Sequence, residues 1–351
     1  MRKFPVALLT VVLCGACGSN SSSSGGGPIA PTPTPPTPPA ATVVALALTG
    51  DTLLPAPGQT VQLTITASMS DLTQQTVTSE ASWESSAAHV VAVSTAGVLT
   101  AVSPGSAKIT ATFGGKSASA DVIVPIVGGR QRTVRLMYLV PTDRQHQVHY
   151  RKAIQTAFVS LQAWYRDQLG GQVFSLASLS PDECGMLQPS SFYAVDTYSK
   201  VFAEARRCGP VTAGSSQNVV WIVYADVVHG CNQPGRIGVG SPGLAVLGRE
   251  DIQGLAGEPS DGDCGRNPSY PVGRYIGGAG HELGHAFGLP HPPGCDAGSQ
   301  ACDWPALMWA GYASYPNTYL RDDEKQKLRE SPFFRPITQS VWDEAGLPRY
   351  E

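Results

Sequence analysis

The segment from residue 281 to residue 291, HELGHAFGLPH, places three histidines and one glutamate at a spacing suited to a metal centre. His281 and His285 are four residues apart, so in a helix both imidazoles lie on one face, one turn from each other. Glu282 follows the first histidine directly. Three protein ligands with a free fourth position are typical of catalytic rather than structural zinc. We therefore predict Zn²⁺ held by His281, His285 and His291, with Glu282 as the general base of a hydrolytic reaction.

The residues between the second and third histidines predict how His291 reaches the other two. Gly288 can adopt the left-handed conformation that ends a helix. Leu289 precedes Pro290, which favours an extended backbone, so His291 should arrive from a non-helical segment. The alternative is an amphipathic helix whose histidines are ordinary core or surface residues. That alternative would need three of the chain's seven histidines to have the spacing of a metal site by accident.

The extended pattern H-E-x-x-H-x-x-G-x-x-H resembles the metzincin clan of zinc endopeptidases. That resemblance implies a methionine turn beneath the metal, and Met308, in the segment ALMW, is the one methionine after the motif. Met308 is thus expected to form a hydrophobic floor under the ligands. Some metzincins have a tyrosine two residues after the methionine. Ala310 takes that position here, so Tyr312, further along, is the candidate for support of the oxyanion, with Tyr315 following it.

The N-terminus has a basic start and a short apolar run, which predicts a secretory signal peptide over residues 1–16. Gly15 and Ala16 precede Cys17, an order that resembles a bacterial lipoprotein signal, in which the cysteine is acylated. Cys14 departs from that pattern, because leucine is usual there. The alternative is a plain secretory signal with incidental cysteines. Lipid on Cys17 predicts a protein held at the bacterial cell surface or outer membrane, and the plain signal predicts secretion.

Six further cysteines follow in the exported chain, and their even number favours three disulfides with fifteen possible pairings. They are Cys184, Cys208, Cys231, Cys264, Cys295 and Cys302. None is in C-x-x-C spacing, which argues against structural zinc. Cys295 and Cys302 are close enough to form a small loop after the third histidine. No cysteine lies between Cys17 and Cys184, so a propeptide cysteine that caps the metal is not expected.

Three segments precede the part of the chain that carries the metal motif. Residues 17–40 are almost entirely Ser, Gly, Pro and Thr, which predicts a tether without a core. Residues 41–125 show short runs of alternating hydrophobicity, which predict a small β-sandwich. The order WESS, VS, GVLTAV and GSAKITA within that segment resembles bacterial Ig-like domains of the second group. Such a domain would be a stiff spacer or would bind a surface glycan or protein. Residues 126–131 are predicted to be a linker.

Residues 132–351 are enough for one α/β domain. Buried strands are expected at 134–140 and 219–224, a short strand at 173–176, and an edge strand within 235–247. Helices are expected at 149–169, 197–207 and 320–330, in addition to the helix that carries the histidines. The resemblance implies a metzincin-like catalytic domain with a mixed sheet and a backing helix. Two aspartates at positions 261 and 263 are interpreted as solvated rather than as a calcium site.

The fold class that follows is a β-sandwich followed by a metzincin-like α/β domain. The net charge of −3, with 15% charged residues and no basic stripe, argues against a nucleic-acid partner. The sequence predicts a zinc metalloendopeptidase that hydrolyses extracellular proteins or peptides. Two alternatives remain: a zinc amidase acting on cell-wall peptides, and an inactive surface adhesin with the same fold. Intact Glu282 argues against the adhesin.

Overall fold

The computed structural model of the protein describes residues 41–127, 132–214, 218–228, 238–259 and 270–336. The predicted signal peptide, tether and lipidation site at Cys17 lie outside these ranges. So do Cys231, Cys264 and the aspartates at 261 and 263. None of the helices in the described ranges is long and apolar enough to cross a membrane.

The first part of the described chain consists of β-strands only. Their bounds are β1 (Val43–Thr49), β2 (Thr60–Gln62), β3 (Thr64–Met69), β4 (Gln74–Thr76), β5 (Ser82–Ser85), β6 (Val91–Val93), β7 (Val98–Ala101), β8 (Gly105–Phe113) and β9 (Lys116–Val124). They form three antiparallel groups in the orders β1-β3-β4, β2-β7-β6 and β5-β8-β9. Alternate residues of β8, namely Ala107, Ile109 and Ala111, are buried in the core. The predicted Ig-like β-sandwich is therefore present.

The second part is a mixed α/β domain. Its elements are β10 (Thr133–Val140), α1 (Val148–Gln168), β11 (Gln172–Val173), β12 (Asp182–Gly185), α2 (Thr197–Cys208), β13 (Val219–Ala225), β14 (Val239–Ser241), β15 (Leu244–Leu247), α3 (Arg249–Leu255), α4 (Val272–Ala286), α5 (Asp322–Glu330) and β16 (Arg335–Pro336). Five strands form one sheet in the order β12-β10-β13-β15-β14. The first four run parallel, and β14 pairs with β15 in the antiparallel sense at one edge.

Both faces of this sheet are covered, as expected for parallel strands. On one face Leu136 and Tyr138 of β10 belong to a core that α1 and α4 share. On the other face Met137 and Leu139 pack with α2 through Val201. The strands are consequently apolar on both sides, and this is why 134–140 and 219–224 were recognisable as buried strands.

The structure departs from the expected elements in three places. The strand expected at 173–176 is only Gln172–Val173, and it pairs with β16 near the end of the described chain. β12 and α3 were not anticipated, because each is short and lacks a clear apolar period. Ile126, expected in a linker, is 7% exposed and packs into the core of the α/β domain. Its carbonyl accepts a hydrogen bond from Nε2 of Gln162 at 3.0 Å, so this part of the predicted linker is built into the domain.

Candidate metal centre

Helix α4 carries the first two histidines of the motif. His281 is 8% exposed and His285 is partly buried. The helix contains glycines where neighbouring elements come close. A β carbon at Gly284 would overlap the sulfur of Met308, and one at Gly280 would lie 2.8 Å from Leu161. These glycines allow the helix to pack tightly between α1 and the segment that follows the motif.

The chain leaves α4 through a left-handed glycine, in agreement with the sequence. Gly288 has a φ of +90°. Its N–H donates to the carbonyl of His285 at 2.8 Å, and the N–H of Leu289 donates to the carbonyl of Gly284 at 2.9 Å. Leu289 is buried, which anchors the turn. His291 then follows outside the helix, and its imidazole reaches the histidines of the helix.

The three imidazoles converge through their Nε2 atoms. Nε2 of His285 lies 3.1 Å from Nε2 of His281 and 3.1 Å from Nε2 of His291. One ligand atom from each of the three residues lies within 4.8 Å of the others. Three nitrogens bound to one tetrahedral zinc at about 2.0–2.1 Å would be about 3.3 Å apart. The spacing therefore fits a single ion.

For the two histidines of the helix, the partner of Nδ1 shows that Nε2 is an acceptor. Nδ1 of His281 lies 2.8 Å from the carbonyl oxygen of Leu307, and Nδ1 of His285 lies 2.8 Å from that of Leu289. A carbonyl only accepts, so both Nδ1 atoms carry the proton and both Nε2 atoms present a lone pair in the neutral ring. Two lone pairs 3.1 Å apart repel each other unless a cation lies between them. The His triad could therefore hold a metal ion.

Burial keeps the two helical histidines neutral at pH 7. The pKa of His281 is lowered to about 4, chiefly by burial and additionally by His285 and His291, whereas the hydrogen bond with the carbonyl of Leu307 raises it. Burial is also the main reason why the pKa of His285 is lowered. A neutral imidazole is the form that binds a metal. His281 and His285 thus do not have to lose a proton at neutral pH before they bind an ion.

Glu282 lies beside the histidines under the edge strand β14. Its pKa is raised to about 7, chiefly by burial and additionally by the negative charge of Asp251, whereas a hydrogen bond from the backbone N–H of Gly240 lowers it. A general base works best when its pKa is near the working pH. The position and environment of Glu282 therefore suit proton transfer.

Met308 and Tyr312, both expected near the metal, lie beneath and beside the triad. Met308 is fully buried, with its sulfur against Gly284 of the helix. The ring of Tyr312 lies 5.5 Å, centroid to centroid, from the ring of His281. Tyr315 is different, because its hydroxyl is 2.9 Å from that of Ser160 on α1. Of the two tyrosines, Tyr312 is thus the one next to the site.

Three further contacts of the site were missed in the sequence. Asp296 places Oδ1 2.6 Å from Nδ1 of His291. The ring of Trp309 packs edge-on against His291, with 5.0 Å between centroids. Gly240 lies against Glu282, 42 residues earlier in the chain. Asp296 is only five residues after His291, so the sequence could have indicated this carboxylate as a partner of the histidine. No sequence pattern indicates the contact between Gly240 and Glu282.

Two disulfides are present in the described residues. Cys295–Cys302 closes the small loop that the sequence suggested, and Cys184–Cys208 links β12 to the end of α2. Cys231 and Cys264 lie outside the described ranges, so a third bridge stays a prediction.

Solved structures with a similar arrangement cover only part of this chain. The wild-type OgpA of Akkermansia muciniphila aligns with a TM-score of 0.41 and 18% identity, over 60% of this chain and 63% of that one. Inactive OgpA in complex with an O-glycopeptide, glycodrosocin, aligns with a TM-score of 0.37 and 16% identity, over 56% and 59%. This chain therefore spans less than two thirds of these proteins.

A further solved structure covers a smaller part of this chain. The S-layer protein SbsC aligns over 27% of this chain and 17% of that one, with a TM-score of 0.20 and 19% identity. No curated protein sequence matches the chain significantly. The family model described as bacterial Ig-like domain (group 2) matches residues 43–124. The N-terminal sandwich is therefore a bacterial Ig-like domain of the second group.

Proposed function

We propose that the protein is a zinc-dependent endopeptidase whose α/β domain is metzincin-like. The observation that carries the proposal is the convergence of the three Nε2 atoms beside a half-buried glutamate. Three nitrogen ligands and one free position are the donor set of catalytic zinc. The extended motif, its glycine turn and the methionine beneath it support the same assignment.

In this proposal His281, His285 and His291 hold the ion, which supplies Lewis-acid chemistry that polarises a carbonyl and acidifies water. Glu282 accepts the proton of the attacking water on its carboxylate and then donates it to the nitrogen of the leaving amine. The N–H of Gly240 holds the carboxylate in place. Tyr312 is the side chain proposed to donate a hydrogen bond to the developing oxyanion.

Edge strand β14 is the proposed site for the backbone of an extended substrate. In the described part of the sheet it pairs with β15 on one side only. An extended peptide can add to such an edge through main-chain hydrogen bonds. Because β14 lies directly above Glu282, a peptide bond in that added strand would pass close to the metal centre.

The proposed organisation follows from the N-terminal segments. Residues 1–16 would be removed, Cys17 would carry lipid, and residues 17–40 would hold the Ig-like domain and the residue 132–351 peptidase domain away from the membrane. The Ig-like domain would serve as a spacer or as a module that binds a surface glycan or protein.

Two variants test the proposal by separating chemistry from coordination. Glu282→Gln keeps size and a hydrogen-bonding group but removes the base, so it should bind zinc and lose about a hundred- to ten-thousand-fold in cleavage. His285→Ala should lose the metal, because two imidazoles hold zinc poorly. Zinc content and cleavage of unfolded casein are measured for both. Cleavage by Glu282→Gln at the wild-type rate would contradict the mechanism, and stoichiometric zinc in His285→Ala would contradict the ligand assignment.

The same assay distinguishes the alternatives. Hydrolysis of peptidoglycan without hydrolysis of casein or denatured collagen would identify a zinc amidase acting on cell-wall peptides. Zinc binding without hydrolysis of any of the three would identify an inactive adhesin.

A further inference from the structure

The three histidines of the triad differ in what holds their second ring nitrogen. His281 and His285 each donate from Nδ1 to a backbone carbonyl. His291 instead has a carboxylate, with Oδ1 of Asp296 at 2.6 Å from Nδ1. His291 is thus the only member of the triad whose outer nitrogen faces a formal charge among the described residues. It is also the only one that does not lie on the helix.

The carboxylate is supplied by a loop that holds its own shape. The disulfide Cys295–Cys302 joins its ends, with 4.5 Å between the Cα atoms, and both cysteines are buried. Inside the loop the N–H of Ser299 donates to the carbonyl of Gly294 at 2.9 Å, and the N–H of Gly298 donates to that of Cys295 at 3.0 Å. Asp296 itself is 74% exposed. Its position is therefore set by the loop backbone and not by burial of its side chain.

We propose that the loop from Cys295 to Cys302 is a clamp for the third ligand, with Asp296 as the positioning residue that sets how tightly the site holds zinc. The proposal rests on the proposed function, since it takes the triad to be the zinc site. Asp296 fixes the proton of His291 on Nδ1, so that Nε2 presents its lone pair to the ion. A ligating nitrogen whose ring is held in this orientation coordinates a metal more tightly. Because the side chain of Asp296 is exposed, the disulfide is what keeps its carboxylate within hydrogen-bonding distance of His291.

The size of the effect follows from the exposure of Asp296. Loss of a partner that orients a ligating histidine typically weakens metal binding about ten- to a hundredfold. Since Asp296 is mostly exposed, water competes for its carboxylate, and we expect the lower end of that range, about tenfold. The hydrogen-bonded orientation should persist at high salt, whereas a purely Coulombic effect would fade with screening.

The test is the dissociation constant for Zn²⁺ of the full chain, measured by competition with a chromogenic chelator in low and in high salt. Asp296→Asn should bind about tenfold more weakly in both, and Asp296→Glu, which keeps the carboxylate, should recover part of the loss. Asp322→Asn, which removes the same charge from a fully exposed position on α5, should bind as wild type. Circular dichroism confirms that each variant is folded. Wild-type affinity in Asp296→Asn would overturn the proposal, as would an equal loss in Asp322→Asn.

A double-mutant cycle tests whether the disulfide acts through Asp296. Changing Cys295 and Cys302 to serine should weaken zinc binding by a similar factor, and adding Asp296→Asn to that variant should weaken it little more. Serine at Cys184 and Cys208, the other bridge, is the matched control and should leave zinc affinity unchanged. Fully additive losses would show that the loop does not act through Asp296.

These outcomes are distinct from a failure of the proposed function. If the wild-type chain binds zinc and Asp296→Asn binds it more weakly, the clamp stands even when no substrate is cleaved. If the wild type cleaves casein and Asp296→Asn retains full zinc affinity, the peptidase stands and the clamp is wrong.

Discussion

Gly240 on edge strand β14 lies so close to Glu282 that a β carbon at position 240 would overlap the glutamate's carbonyl oxygen and lie 3.0 Å from its Oε2. The same β carbon would be 2.6 Å from Cβ of His285. Only glycine allows the strand to lie against the helix at this point. The proposed substrate edge, the proposed base and one proposed metal ligand are consequently packed into a single contact.

Gly240→Ala should therefore impair both stability and cleavage. The added methyl group has to push β14 away from α4, and overpacking of this kind typically costs about 1–3 kcal/mol. Chemical denaturation and casein cleavage measure the two effects. Gly185→Ala is the matched control: Gly185 ends β12 at the opposite edge of the sheet, and a β carbon there has no atom within 4 Å. Equal behaviour of the two variants would show that the contact with Glu282 has no consequence.

Met308→Ala should destabilise the α/β domain by about 2–5 kcal/mol, because a fully buried side chain leaves a cavity under the helix of the triad. Met308→Leu conserves volume and should cost less than about 1.5 kcal/mol. Unfolding free energies of the zinc-free proteins measure this, and chelator competition shows whether the triad also loosens. If alanine is tolerated as well as leucine, Met308 is not the floor of the site.

Burial of Glu324, away from the proposed metal ligands, should make the free energy of unfolding depend on pH. Its side chain is 4% exposed. Burial raises its pKa from 4.5 to about 7, although Arg321 opposes this by donating its N–H to Oε2 at 2.8 Å. The folded state thus holds the proton more tightly than the unfolded state. Stability from this group is greatest below pH 4.5, falls as the pH rises to about 7 and is constant above that.

The expected loss is on the order of 3 kcal/mol, at about 1.4 kcal/mol per pKa unit. Glu324→Gln should lack it, so the variant should gain stability relative to wild type as the pH rises from 4.5 to 8. Urea denaturation across this range provides the difference. Glu330→Gln, an exposed position on the same helix, should follow the wild type. A wild-type pH profile in Glu324→Gln would show that this carboxyl titrates normally.

Cys17→Ser should release the protein from membranes, since stable anchoring needs the acyl chains that the cysteine would carry. Cells expressing the wild type or the variant are separated into membrane and soluble fractions. Cys14→Ser is the control and should fractionate as the wild type. If Cys17→Ser fractionates with membranes as the wild type does, the prediction of a lipid anchor on Cys17 is wrong.

The sequence alone determined the local part of the candidate site. Two histidines four residues apart lie on one helix face whatever surrounds the helix, and Gly288 takes its left-handed turn for reasons within a few residues. Helix α1 was expected over 149–169 and spans Val148–Gln168, because its apolar period is long and regular. The Ig-like domain was recognisable for the same reason: its alternation and turns are local patterns.

Only the tertiary structure decided which groups contact the proposed ligands and the proposed base. The carbonyl of Leu307 accepts from His281 across 26 residues, and Gly240 meets Glu282 from a strand in a different part of the chain. Neither contact leaves a pattern in the sequence, because every residue has a backbone carbonyl. Only the packing of the folded chain decides which of these backbone groups meets the side chain. Asp296 was near enough in sequence to be considered, but many aspartates follow a histidine without touching it. The disulfide-closed loop is what turns this carboxylate towards Nδ1 of His291, and that depends on how the chain folds after the motif.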